Sequence, residues 1–235
     1  MKETVHIWDW PLRLFHWLLV VAVVGAYVTG KLGGDLTEWH GPIGALILGL
    51  LIFRILWGFV GTKHARFASF FPTFGRLIAY FKGNWQGVGH NPVGALSVIA
   101  LLTVLATLVG TGLFANDDIA FEGPLFNLVD KSLSDRLSGI HALALDVLMV
   151  LLALHLIAIA FHHLVKKNNL VLPMLTGKKR VPTDLASSVP SVGALRFLMT
   201  VAISSTLVWG IWSGDLADYF KPIESLQTAA LRLGW

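Results

Sequence analysis

The chain has no cysteine. That absence removes disulfides, thiolate-bound zinc, cysteine-ligated iron–sulfur clusters and covalently attached c-type haem together. Charge is scarce as well: 14% of the 235 residues are Asp, Glu, Lys or Arg, against about a quarter in ordinary soluble domains. No internal repeat, low-complexity tract or soluble domain is visible. Lys2 to Trp10 lacks a small-residue cleavage site after a short apolar core, so no cleavable signal peptide is expected. What the chain has in quantity is apolar sequence, 55% of the total.

The apolar residues fall into five runs, each near the roughly 20 residues needed to cross about 30 Å of hydrocarbon. They run roughly Pro11–Gly30, His40–Val60, Pro92–Phe114, Leu137–Val165 and Val192–Ser213. Arg54 interrupts the second, Asp146 the fourth, and Arg196 lies near the start of the fifth. The expected class is an all-α membrane protein. With the N-terminus in the cytoplasm, twelve basic residues (Lys2, Arg13, Lys63, Arg66, Arg76, Lys82, Lys166, Lys167, Lys178, Lys179, Arg180 and Arg196) flank the spans inside. Five (Lys31, Lys131, Arg136, Lys221 and Arg232) lie outside. The positive-inside rule therefore sets the N-terminus in the cytoplasm and the C-terminus on the far side. Phe67–Trp85 suits a helix lying in the cytoplasmic interface. Asn116–Asp135 is acidic and turn-rich. Asp215–Trp235 has apolar residues at roughly helical spacing and reads as a surface or docking helix.

The nine histidines are not randomly placed in depth. His16 lies one turn into the first span, His40 opens the second, and His141 and His155 share the fourth. Fourteen residues separate the last two, about 21 Å of helix and nearly four turns, so their imidazoles emerge within about 40° of one face. The topology then puts His16 with His155 at the inner level and His40 with His141 at the outer. Two imidazole pairs, one near each surface, are what two b-type haems need, and axial histidine on both sides of the iron suits electron transfer. A lone intramembrane histidine more often hydrogen-bonds across a helix interface; four at matched depths in three helices are harder to explain that way, because polar groups in lipid are costly. His6, His64, His90, His162 and His163 lie at the interfaces, where surface roles or contacts to haem propionates are expected.

Arg54, fourteen residues after His40, is a candidate propionate partner for the inner haem, with snorkelling to lipid headgroups the competing role. Arg13, Lys63 and Arg66 are further candidates on that side, and Arg136 would serve the outer haem. Gly44, one turn from His40, together with Gly25 and Gly49, offers the small surface against which a porphyrin packs; ordinary small-residue helix packing explains each equally well. Asp146 is turned about half a revolution from His155 and is expected to meet Ser204, Ser205 and Thr206 of the fifth span. A proton relay to a quinone is its sharper alternative role.

These residues are embedded in recognisable motifs. Trp8-Asp-Trp-Pro-Leu-Arg-Leu-Phe-His-Trp17 resembles the first-helix signature of the bacterial cytochrome b561 and NiFe-hydrogenase b-type cytochrome superfamily. Trp39-His-Gly-Pro-Ile-Gly44, Phe53-Arg-Ile-Leu-Trp-Gly-Phe-Val-Gly61, Gly89-His-Asn-Pro-Val-Gly94 and Asp135-Arg-Leu-Ser-Gly-Ile-His141 continue the pattern. The resemblance spans roughly Val5 to Gly177. It implies a four-helix haem-binding bundle ligated at His16, His40, His141 and His155, and a membrane anchor exchanging electrons with quinone. It implies also that the chain divides into a di-haem module at 1–177 and, at 178–235, a linker, a fifth transmembrane helix and a tail beyond the four-helix members.

The leading expectation is an electron-transfer subunit of the bacterial inner membrane with two haem b, quinone or quinol as substrate, and a periplasmic cytochrome c or oxidoreductase subunit as partner. Asp117, Asp118, Glu122 and Asp130 form an acidic outer patch that would favour a basic partner surface. No nucleic acid is expected as a partner, and self-association as a homo-oligomer stays open. Neither surface carries a diagnostic quinone-binding set. One rival is a stand-alone superoxide:quinone oxidoreductase, against which the acidic outer loop weighs. Another is a haem-free membrane scaffold or transporter, though no inverted pair of interrupted helices is seen.

Overall fold

The computed structural model describes residues 1–119, 121–185 and 193–213. The expected tail helix at Asp215–Trp235 lies outside them, as do Lys221 and Arg232. The first strand, β1 (Lys2–His6), leads into α1 (Trp10–Leu32). After a 3-10 turn come α2 (Thr37–Val60), two short helices α3 (Phe67–Phe70) and α4 (Phe74–Phe81), then α5 (Pro92–Gly112), α6 (Lys131–Leu164), α7 (Val171–Thr176), β2 (Lys178–Pro182) and α8 (Ala194–Trp212). Five of these helices are long and apolar enough to cross a membrane, so the protein is an all-α membrane protein in class. Its one described sheet is the antiparallel β1–β2 pair, with Val5 opposite Lys179.

Local chemistry sets the helix ends. Asp9 caps α1, its carboxylate accepting from the Leu12 amide at 2.8 Å, with Pro11 in the first turn where the missing N–H costs nothing. Asn91 and Pro92 repeat the device at α5, and Asp130 caps α6. α1 ends at Gly33, whose φ of 65° favours glycine. The single interfacial helix expected over Phe67–Trp85 is broken in two, because Pro72 cannot continue α3 and forces Phe71 into an extended conformation. α6 is 34 residues and so about 51 Å long; it starts six residues before the expected span and projects beyond the hydrocarbon.

Packing follows a chain of neighbours: α1 on α2, α2 on α5, α5 on α6, while α1 and α6 meet only loosely. One core cluster at the N-terminal side joins Ile7, Trp8, Phe15, Phe53 and Trp57. A second in mid-membrane joins Ala22, Ile47, Leu51, Leu105 and Leu148. The fifth span, α8, packs on α2, where a Cβ at Gly49 would lie 3.3 Å from Val208 and one at Gly41 3.0 Å from Trp212. These are close-approach glycines of the kind that lets helices pack in lipid. β1 and β2 lie side by side, so the N-terminus and the segment after α6 share one face of the membrane, and four crossings separate them.

Candidate functional site

Two histidines meet at the end of the bundle away from the β-pair. His40, in the first turn of α2, faces His141 of α6, with ring centres 6.2 Å apart and planes at 74°. Each ring is held in the same way. The Nδ1 of His40 lies 3.0 Å from the Ala26 carbonyl and 3.3 Å from the Thr29 hydroxyl. The Nδ1 of His141 lies 2.8 Å from the Leu108 carbonyl and 3.4 Å from the Thr111 hydroxyl. A carbonyl only accepts, so both Nδ1 atoms carry the proton and both Nε2 atoms keep a lone pair for a metal. The threonine protons are already engaged within their helices, Thr29 donating to Gly25 and Thr111 to Thr107. Each threonine oxygen is therefore an acceptor for the imidazole N–H.

A glycine follows each threonine, and the reason is steric. A Cβ on Gly30 would lie 3.0 Å from His40 Cε1, and one on Gly112 would lie 3.2 Å from His141 Cε1. Thr29-Gly30 and Thr111-Gly112 thus form matching cradles on α1 and α5. The repeated Thr-Gly pair is visible in the sequence, but only the fold brings each against its histidine.

This geometry fits a haem iron. A metal bound at roughly 2 Å by each of two opposed imidazole nitrogens separates the ring centres by roughly 6 Å, close to the observed 6.2 Å. No three His, Asp or Glu residues converge on a point among the described residues. The pair therefore suits a metal whose other ligands come from a macrocycle. Hydrogen-bonded Nδ1 atoms are the usual outer support of metal-binding histidines. An ideal Cβ on Gly44 meets nothing within 4 Å, so the surface beside His40 is open, whereas Gly25 packs against Ile43 and Gly49 against Val208 as helix-packing glycines.

At the other level, His16 of α1 and His155 of α6 lie within electrostatic reach of each other across the loosely packed α1–α6 side. The His16 Nδ1 is buried without a hydrogen-bond partner, and Trp17 meets its ring edge-on at 5.0 Å. Arg13 is anchored through Nη1 to the Leu175 carbonyl, while its Nε is buried and unpartnered. Arg54 does not snorkel: it is 2% exposed, its guanidinium lies 4.6 Å from the Phe67 ring centre, and its Nη1 lacks a partner. Asp9 is the acid nearest in charge to Arg54, but its oxygens already accept from Leu12, Trp57 and Thr62. A buried guanidinium left short of an acceptor suits a carboxylate-bearing group.

Other expectations meet a different arrangement. Arg136 is exposed near the start of α6. In the acidic loop, Asp118 pairs with Lys131, which also pairs with Asp135. Asp130 is spent on the α6 cap, and Asp117 accepts from the Ile119 and Phe121 amides. The patch is therefore built as much for its own folding as for display. Asp146 is exposed on α6, and α8 packs on α2, so the expected contact of Asp146 with the fifth span is replaced by an open face. His90, expected at the interface, is enclosed between Trp8 and Phe70, each 4.6 Å away between ring centres. Burial, with Arg54 and then His64 nearby, pushes its imidazole down to about 3.

A model of one family, prokaryotic cytochrome b561, matches residues 7–177. A probable Ni/Fe-hydrogenase B-type cytochrome subunit of Azotobacter chroococcum mcd 1 is 26% identical over 229 residues, covering 78% of this chain and 92% of the relative. Its counterpart in Rhodobacter capsulatus is 22% identical over 223 residues, covering 78% and 84%. A probable Ni/Fe-hydrogenase 1 B-type cytochrome subunit of Escherichia coli K12 is 22% identical over 143 residues, covering 47% and 60%. No solved structure matches the chain.

Proposed function

The chain belongs to the prokaryotic cytochrome b561 family, a family of membrane b-type cytochromes of electron transfer, and from that premise we propose that it binds two haems and passes electrons between a quinone and a partner redox protein. The observation that carries this reading is the opposed His40–His141 pair, each imidazole turned by a backbone carbonyl so that Nε2 is free. His40 and His141 would hold the outer haem, and His16 and His155 the inner one. Haem supplies one-electron redox chemistry when bound, and bis-histidine ligation closes the iron to other ligands.

The chain's own residues then have defined tasks. Thr29, Thr111 and the Ala26 and Leu108 carbonyls fix the tautomer and orientation of the outer ligands. Arg54 and Arg13, each with a buried nitrogen lacking a partner, would meet the carboxylates of the inner group, and Gly44 would keep a flat surface clear beside His40. The excess of basic residues on the N-terminal face supports a cytoplasmic location for it, and with it a bacterial inner membrane and a periplasmic His40–His141 end. The hydrogenase subunits among the relatives support an oxidoreductase subunit as the partner on that side.

The test is a reduced-minus-oxidised visible spectrum with pyridine-haemochrome quantitation on the detergent-purified chain. About two b-type haems per polypeptide are expected, falling to about one in His141→Ala. A colourless protein from haem-replete cells would overturn the proposal.

A further inference from the structure

Where α1 faces lipid it shows bulky side chains: Val20, Val21, Val24 and Val28 are all exposed. One stripe of α6 is different. Gly139, Asp146, Ala153 and Ala160 recur along it every seven residues, with Ala142, Met149 and Leu156 between them at steps of three or four. All seven positions are exposed, and a Cβ built on Gly139 meets nothing within 4 Å. The stripe runs for about 32 Å of helix and lies away from the bundle. Asp146 stands about 160° round the helix from both Ala144 and Leu148, which are buried.

Asp146 makes this more than a surface of small residues. It sits near the middle of the 34-residue α6, five residues, about 8 Å, after His141 and nine, about 14 Å, before His155. Among the described residues it has no hydrogen-bond or ion-pair partner; the ion pairs there belong to Lys131. A carboxyl held against lipid chains is costly, and such groups in membrane helices nearly always turn to a protein or water partner. α8, whose hydroxyl side chains were expected to meet it, packs on α2 instead.

The spacing indicates what covers the stripe. Positions repeating on average every 3.5 residues form the seam along which two parallel helices supercoil, and small residues let the two backbones close together in lipid. A two-fold axis beside α6 would set each of these positions against the same position of a second copy. Each layer suits itself. Glycine and alanine meet their like, and a protonated carboxyl carries a donor as well as acceptors, so two facing ones complete each other and leave no charge in the hydrocarbon. A single polar layer in an apolar seam also fixes the register of the pair. We infer that α6 is the seam of a parallel homodimer, in which the Asp146 side chains of the two copies hydrogen-bond across the two-fold axis. The inference goes beyond the haem reading and does not depend on it.

The experiment uses full-length chains labelled at the N-terminus with a donor or an acceptor dye. Energy transfer between them is followed in proteoliposomes as the protein-to-lipid ratio is lowered. Wild type is expected to dimerise. Asp146→Leu should raise the dissociation constant roughly tenfold, the weight of about one interhelical hydrogen-bonded pair. Asp146→Asn, whose amide also both gives and accepts, should stay close to wild type, and circular dichroism should show equal helicity in all three. A second measurement leaves Asp146 in place. Since the chain has no cysteine, Ala153→Cys puts a unique thiol on the seam, and Leu154→Cys puts one about 100° round the helix. Mild oxidation should link Ala153→Cys into dimers and leave Leu154→Cys as monomers. A wild type that is monomeric at every dilution, an Asp146→Leu variant that dimerises as wild type does, or equal linking of the two cysteine variants overturns the inference. So does a chain that is monomeric alone yet binds a polyleucine transmembrane peptide with one central lysine and loses it in Asp146→Asn, which would assign the face to a basic helix of another polypeptide.

Discussion

Replacing Gly30 by alanine tests the histidine cradle most directly. The added Cβ would lie 3.0 Å from His40 Cε1 and 3.1 Å from Nδ1, while carbon atoms rest at about 3.5–4.0 Å. The imidazole must therefore retreat by about half an ångström, away from a position fixed by its 3.0 Å bond to the Ala26 carbonyl. Losing that bond costs about 1 kcal/mol, and the displaced χ angle about 1 more. A weakening of about 2 kcal/mol corresponds to roughly 30-fold weaker retention of the outer haem. The assay is transfer of haem to an excess of an apoprotein scavenger, followed in the visible spectrum. Half of the haem should leave about 30-fold faster than in wild type and the other half at the wild-type rate. Gly112→Ala, with contacts of 3.2 and 3.3 Å, should give a smaller acceleration, and Gly110→Ala, whose Cβ meets nothing within 4 Å, none. Equal retention in Gly30→Ala and Gly110→Ala would refute the steric argument.

Other consequences can be checked separately. If His40 and His141 hold the proposed outer haem with their planes crossed at 74°, the two iron dπ orbitals would receive nearly equal donation, and the ferric haem would give a highly anisotropic low-spin EPR signal; a rhombic signal from both haems would contradict the ring arrangement. Asp9→Ala removes the α1 cap and leaves the indole N–H of Trp57, 0% exposed, without an acceptor; a loss of about 3 kcal/mol is expected, read as a lowered Tm in detergent, and an unchanged Tm would show that the junction is not structural. His90 is held down to about 3 from 6.5, so the unfolded chain binds the extra proton between those values. Stability from the neutral His90 is complete above pH 6.5 and falls as the pH drops toward 3; Tm should decline over that window in wild type and decline less in His90→Gln, and identical slopes would exclude His90 as the cause.

The fold was legible where a physical requirement forces a long signal. A run of about 20 apolar residues has few uses outside a bilayer, so all five spans stood out, and their alternating directions put His40 and His141 at one end of the bundle, where the rings meet. What escaped was non-local. β1 and β2 pair across most of the chain, and neither Lys2–His6 nor Lys178–Pro182 alternates clearly enough to declare a strand. Thr29-Gly30 and Thr111-Gly112 are ordinary dipeptides until α1 and α5 carry them against imidazoles. His90 looked interfacial because it precedes Pro92 outside a span; its enclosure depends on Phe70 and Trp8 arriving from two other segments. The break at Pro72 was available in the sequence and simply outweighs the helical character of its neighbours. Arg54 was ambiguous for a different reason: its depth allows either snorkelling or burial, and only the aromatic lid of α3 decides.

The strand pair also has a consequence in time. Synthesis runs from the N-terminus, so Lys2–His6 waits while α1, α2, α5 and α6 are inserted, and finds its partner only when Lys178–Pro182 emerges. α7 is fastened to α1 in the same event, through Arg13 to Leu175 and Trp17 to Met174, with Ile7 just before α1 bonded to Gly177 just after α7. Until then the loosely packed side between α1 and α6 has no clasp. The haem proposed for His16 and His155 would have its easiest passage in that interval, and closure of the clasp afterwards would slow its escape. Maturation of the protein is thus ordered by the chain itself: the first segment made is among the last to be secured.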